Sequence, residues 1–118
     1  MFLSIIIPHY NIPDKLLERC VQSILIQGIP DNEYEIIIVD DGSDTKPTWV
    51  TELDKNIRLI NGEHSGPGGA RNKGIEAATG EYIMFVDADD FLFNNGEILS
   101  CIEKLKSERP HILRYRYI

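Results

Sequence analysis

Asp87 and Asp89, separated by one residue in Phe85-Val-Asp-Ala-Asp-Asp90, follow the apolar run Tyr82-Ile-Met-Phe-Val86. At a strand end both carboxylates can point the same way, which is an arrangement for a hard cation. Mg2+ and Mn2+ take oxygen ligands and complete their shells with substrate phosphates and water. Asp is also common in plain turns, but the position directly after a strand favours the metal reading. A second acidic pair, Asp40-Asp-Gly-Ser43, follows Glu35-Ile-Ile-Ile-Val39. There Asp can accept backbone N–H groups while Gly supplies a positive φ, or a carboxylate can accept from a base N–H or a ribose hydroxyl. Both readings stay open. Ser65-Gly-Pro-Gly-Gly-Ala-Arg-Asn-Lys-Gly74 lets backbone approach a ligand and opens a helix whose first N–H groups attract anionic oxygens. Arg71 and Lys73 add positive charge there, and Gly74 suits close packing of helix on sheet. Tyr10 offers a face to a nucleobase or to ordinary packing. His9 and His64 have no base or metal partner at a recognisable spacing and receive no role.

The elements that must position these residues alternate. Ser4–Pro8 and Glu35–Asp40 are β-branched runs without polar alternation, as in strands covered on both faces. Between them, Asp14–Gln27 carries Leu16, Leu17, Cys20, Val21, Ile24 and Leu25 at helical spacing, with Pro13 at its start. This makes a βαβ unit. A short helix over Trp49–Asp54, a strand over Ile57–Ile60, a helix over Gly69–Ala78 closed by Gly80, and a strand over Glu81–Asp87 follow. A helix over Glu97–Lys106, capped by Asn94 or Asn95, leads past Pro110 to a last strand over Ile112–Tyr117. The fold expected is α/β: one domain over residues 1–118 with an open, doubly wound, mostly parallel sheet. Ligands then bind beyond the carboxyl ends of the strands, where all the acidic loops lie. The chain ends in a strand with nothing after it to cover it, so it reads as a piece of a longer protein, truncated after its fifth strand.

Composition narrows the function. The formal net charge of -7 disfavours a nucleic-acid surface, which needs clustered Lys and Arg. A small anion would have to be held by local devices: a cation, a helix N-terminus or one well-placed Arg. No apolar run approaches a membrane span or a secretory signal, so the chain reads as cytoplasmic. Cys20 and Cys101, far apart in apolar surroundings, read as buried thiols, not as a disulfide or zinc site.

Ser4-Ile-Ile-Ile-Pro-His-Tyr-Asn11, Cys20-Val-Gln-Ser-Ile24, Ile38-Val-Asp-Asp-Gly-Ser43, Gly69-Ala-Arg-Asn-Lys-Gly74 and Phe85-Val-Asp-Ala-Asp-Asp90 together resemble the family-2 inverting glycosyltransferases of the GT-A type, in the style of bacterial surface-glycan enzymes. The resemblance covers nearly the whole chain. It implies that Pro8, Tyr10, Asn11, Asp40 or Asp41, and Ser43 surround a nucleotide base and ribose, with Arg71 near the base or phosphates and a UDP-sugar as donor. It further implies that Asp87 approaches the ribose and metal-bound water, while Asp89 ligates a cation, Mn2+ or Mg2+, bridging the diphosphate. The acceptor would be a glycan or lipid-linked molecule at the inner face of a membrane. In such enzymes the general base lies beyond the donor-binding part, so these residues alone are expected to bind donor without transferring sugar. Glu97 and Glu103 read as surface charges.

Three other readings compete. A nicotinamide-dependent oxidoreductase fits poorly, because Pro8-His-Tyr-Asn11, and not Gly-x-Gly-x-x-Gly, follows the first strand. A phosphate-accepting signalling domain would carry its acidic pair after the first strand, not the second. A non-catalytic nucleotide-sugar-binding module would keep every donor-site feature.

Overall fold

The computed structural model describes residues 1–110, and the expected strand over Ile112–Tyr117 lies outside them. Strands β1 (Leu3–His9), β2 (Tyr34–Asp40), β3 (Ile57–Asn61) and β4 (Tyr82–Phe85) form one parallel sheet in the order β3-β2-β1-β4. Helix α1 (Asp14–Leu25) joins β1 to β2. A 3-10 helix (Thr48–Glu52) precedes β3, α2 (Gly66–Ala77) joins β3 to β4, and α3 (Glu97–Glu108) comes last.

The continuous apolar runs of β1 and β2 are explained by cover on both faces. Ile5, Ile7, Ile36 and Ile38 pack with Leu17, Val21 and Ile24 of α1 and with Ile98, Ile102 and Leu105 of α3. The alternate residues Ile6, Ile37 and Val39 turn the other way, onto Ala70 of α2. The six strand isoleucines, Ile5, Ile6, Ile7, Ile36, Ile37 and Ile38, are fully buried, and each such side chain contributes roughly 1.5–3 kcal/mol. Gly74 sets the depth of α2 on the sheet: a Cβ there would meet Ile6 Cγ2 at 2.4 Å.

The open, doubly wound parallel architecture is present as expected. Its boundaries differ in instructive places. Helix α2 begins at Gly66, three residues before the predicted start, because Pro67 fixes a helical φ in the first turn and a carboxylate, Asp41, accepts the Ser65 and Gly66 N–H groups. It ends with Ala78 extended, without using Gly80. Strand β4 is shorter than predicted, although Val86 N–H still donates to Ile6 O at 3.0 Å. Helix α3 is capped at Gly96, and Asn95 Oδ1 accepts the Glu97 N–H from one residue further out. Cys101 is half-buried, not buried as expected. Glu97 and Glu103 are exposed.

At the amino end of the sheet, away from the acidic loops, Glu35 is buried at 4% exposure. It accepts bonds from Ser4 Oγ, Thr79 N and Thr79 Oγ1, each at 2.7 Å, and from Arg58 Nη1 at 2.8 Å. Burial raises its pKa, but these four bonds outweigh that and hold the carboxyl at about 2. A depressed acid pKa stabilises the fold above the unfolded value and loses that contribution as pH falls through the folded one. The contribution is on the order of 3 kcal/mol at neutral pH. Urea melts should therefore show wild-type stability falling between about pH 4.5 and pH 2, and Glu35→Gln, already weakened at pH 7, should show a flatter profile across that window.

Candidate functional site

The chain steps from β1 to β2 in one direction and from β3 back past both to β4 in the other, so the switch point lies between β1 and β4. Beyond their carboxyl ends opens a crevice of about 270 Å³ lined by Pro8, His9, Tyr10, Ile12, Asp41, His64, Pro67, Ala70, Arg71, Asp87, Ala88 and Asp89. Of the residues singled out from sequence, Pro8, Tyr10, Asp41, Arg71, Asp87 and Asp89 meet here. Asn11, Asp40 and Ser43 do not line it.

Those three stand behind the wall and hold it. Asn11 adopts φ 50, its N–H donating to Ser43 Oγ at 2.8 Å and its Oδ1 accepting the Asp44 N–H at 2.9 Å. Asp40 is fully buried. Its Oδ1 faces His9 Nδ1 at 2.9 Å and its Oδ2 accepts the Ser43 N–H at 3.2 Å. Burial pushes the Asp40 carboxyl up, but the bonds from Ser43 and His9 outweigh it and keep its pKa below the usual range. The other ring nitrogen of His9, Nε2, lies 3.2 Å from Ile12 O.

Asp41 faces the crevice but is itself engaged. Its carboxylate accepts from Ser65 N at 2.8 Å, Ser65 Oγ at 3.2 Å and Gly66 N at 3.0 Å, and His64 Nδ1 lies 3.0 Å away. Burial raises its pKa, and the Ser65 and Gly66 bonds with the nearby His64 more than reverse that. The anionic carboxylate thus caps α2 and complements its positive end. Gly42 permits this: its φ is +83, and a Cβ would lie 2.8 Å from His64 N. His64 in turn lies against Tyr10, ring centroids 4.3 Å apart and 31° from parallel.

Sequence reasoning gave neither histidine a partner, and the structure gives each a carboxylate. The signal was available for His9, since it ends β1 in direct register with Asp40 at the end of β2. For His64 there was none, because its contact depends on how the Gly-rich segment folds back over Gly42.

On the opposite wall, Ala88 is buried in the core between Asp87 and Asp89, both exposed. Asp90 N–H closes a turn onto Asp87 O at 3.0 Å. Asp87 Oδ1 stands 3.7 Å from Arg71 Nη2, in a solvent-screened pair. The Asp89 carboxylate has no hydrogen-bond partner among the described residues, its backbone carbonyl alone accepting a bond, from Arg19. Cys20 lies beneath this loop. Burial, reinforced by Asp90, Asp87 and Asp89, pushes its thiol up to about 12, so it stays protonated and donates to Asp87 O at 3.5 Å.

Hard oxygen donors fit a divalent cation. No group of three or more His, Cys, Asp or Glu residues among those described could enclose a metal. Two open carboxylates suit an ion that takes its remaining ligands from phosphate and water.

Residues 4–116 match the profile of glycosyl transferase family 2. The poly(ribitol-phosphate) beta-glucosyltransferase of Bacillus spizizenii is 41% identical over 100 residues, covering 78% of this chain and 15% of that protein. Staphylococcus aureus TarS 1-349 in complex with UDP superposes with a TM-score of 0.82 at 28% identity, covering 92% of this chain and 33% of that one. The mannosyltransferase PcManGT of Pyrobaculum calidifontis, in complex with GDP-Man and Mn2+, superposes with a TM-score of 0.78 at 27% identity, covering 87% and 32%. The fold is thus an α/β GT-A-like fold with the crevice at its switch point. The chain belongs to glycosyl transferase family 2. It spans only 15% of the length of that Bacillus relative and about a third of those solved chains. Among the described residues no helix is long and apolar enough to cross a membrane.

Proposed function

We propose that this chain is the donor-binding part of a glycosyltransferase that moves a sugar from a nucleoside diphosphate, of the UDP class, to a glycan or lipid-linked acceptor with inversion. The observation that carries this reading is the convergence of Tyr10, Arg71, Asp87 and Asp89 on one crevice at the switch point. UDP is favoured because TarS, at 32% identity in its UDP-GlcNAc complex, is more similar to this chain than the GDP-Man-bound mannosyltransferase at 27%.

In this reading Tyr10 and His64 form an aromatic wall for the base, and Pro8 closes the floor at the end of β1. Asp40, Asn11 and Ser43 keep the β1 and β2 loops together behind that wall. Arg71, carried on the second turn of α2, faces the phosphates. Asp89, helped by Asp87, holds Mn2+ or Mg2+. When bound, the cation supplies neutralisation of the charge that grows on the diphosphate as the sugar departs. A general base must still take the acceptor hydroxyl proton. Asp41 is saturated with hydrogen bonds, and Asp87 and Asp89 serve the cation, so the base is assigned to a carboxylate outside residues 1–110. Work on a lipid-linked acceptor would place the protein at the cytoplasmic face of a membrane.

Calorimetric titration of the 118-residue chain with UDP and GDP, with and without Mn2+, tests the proposal. UDP should bind more tightly than GDP, Mn2+ should strengthen it, and no acceptor-dependent UDP release should accompany UDP-sugar. Equal affinities for UDP and GDP, indifferent to Mn2+, would overturn the donor assignment. Acceptor-dependent release would overturn the placement of the base.

A further inference from the structure

The loop that carries Asp87 and Asp89 has no regular secondary structure, yet its backbone is bonded at close intervals by side chains of α1 and of the turn that follows it. Arg19 Nη2 donates to Asp89 O at 3.0 Å, with its guanidinium 4.6 Å from the Phe91 ring centroid. Cys20 Sγ donates to Asp87 O. Ser23 Oγ accepts the Leu92 N–H at 3.0 Å while donating to Cys20 O at 2.6 Å. Gln27, just past the end of α1, donates from Nε2 to Phe93 O at 3.1 Å and to Ser23 O at 2.8 Å. Positions 20, 23 and 27 climb one face at helical spacing, and the loop residues they hold advance in the same direction.

Ser23 and Gln27 are polar yet only 7% and 4% exposed. Buried polar groups are tolerated where they are bonded, and here two of their four bonds, Leu92 N–H to Ser23 Oγ and Gln27 Nε2 to Phe93 O, bind loop to helix, while Gln27 Oε1 has no partner among the described residues. Ala88 and Leu92 already anchor the loop in the core. Apolar anchors fix depth but not the turn of the backbone, whereas directional bonds fix both. The geometry points to Arg19, Ser23 and Gln27 as positioning residues, a ladder on α1 that aims the Asp87 and Asp89 carboxylates at a divalent cation bound with a nucleoside diphosphate. This inference rests on the donor-site reading above and deepens it.

Arg19→Met and Gln27→Met keep side-chain bulk and remove the donors. Mn2+ uptake in the presence of UDP, read from the free-ion electron paramagnetic resonance signal, should weaken about tenfold in each. UDP affinity in EDTA should stay within twofold of wild type, and Arg19→Lys, which can still donate to Asp89 O, should recover part of the loss. Arg19 is exposed, so its variants report even if Gln27→Met fails to fold. Unchanged Mn2+ uptake in a folded Arg19→Met, or an equal loss of metal-free UDP affinity, would overturn the ladder while leaving the donor site standing. Absence of UDP-dependent Mn2+ uptake in the wild type would remove the donor-site reading and this inference with it.

Discussion

Asp89→Ala should abolish the metal-dependent part of UDP binding, on the order of 100-fold in affinity or about 3 kcal/mol, while leaving the melting temperature near wild type. The two halves of this expectation come from one fact: the Asp89 side chain is exposed on the crevice wall and bonds nothing among the described residues. Its removal takes away a ligand and no structural contact. Asp90→Ala is the matched control, since Asp90 is also exposed and acidic but does not line the crevice. Titration of the three proteins with UDP at saturating Mn2+, and again in EDTA, separates the outcomes. A 100-fold loss confined to the Mn2+ arm of Asp89→Ala is expected. Parallel losses in Asp90→Ala would mean that net charge, not ligation, governs affinity.

Asp41→Ala should behave in the opposite way, losing stability first and binding as a consequence. The carboxylate is nearly inaccessible and accepts from Ser65 and Gly66 backbone groups at the start of α2. Deleting it takes the acceptor from the Ser65 and Gly66 N–H groups and an anion from a helix N-terminus, together about 2 kcal/mol. For a domain of this size that lowers the melting temperature by on the order of 10 °C. Asp41→Asn, which keeps one acceptor but no charge, should lose about half as much. Arg71 and Ala70 ride on α2 and line the crevice, so UDP affinity should fall in both variants in proportion to the loss of stability. Differential scanning calorimetry with and without UDP checks the order. A stable Asp41→Ala that has lost UDP binding would mean that this carboxylate touches ligand directly.

The contrast between these two aspartates marks what the sequence makes legible. Strands β1 and β2 were visible as β-branched runs, and their lack of polar alternation correctly implied helices on both faces. Asp87 and Asp89 were visible because their spacing and place after a strand are local features. Asp40 and Asp41 are also local, but the use of their carboxylates is not. It depends on His9 across the sheet and on Ser65 and His64, some 24 residues on, folding over a glycine at positive φ. The start of α2 was misplaced for the same reason: Gly66-Pro-Gly-Gly69 has poor helix propensity, and a carboxylate from another loop stabilises its first turn. The polar ladder of α1 was hidden because Ser23 and Gln27 look like solvent-facing residues, although they fall on the stripe set by Leu16 and Cys20.

The role proposed for Asp89, with Asp87, is to hold a divalent ion against a nucleoside diphosphate in the crevice between β1 and β4. A crystal structure of the chain with UDP and Mn2+ tests it most directly. Anomalous manganese density is expected within about 2.2 Å of an Asp89 carboxylate oxygen, beside the diphosphate, with the uracil against Tyr10. Nucleotide bound elsewhere, or manganese density away from both aspartates, would contradict it.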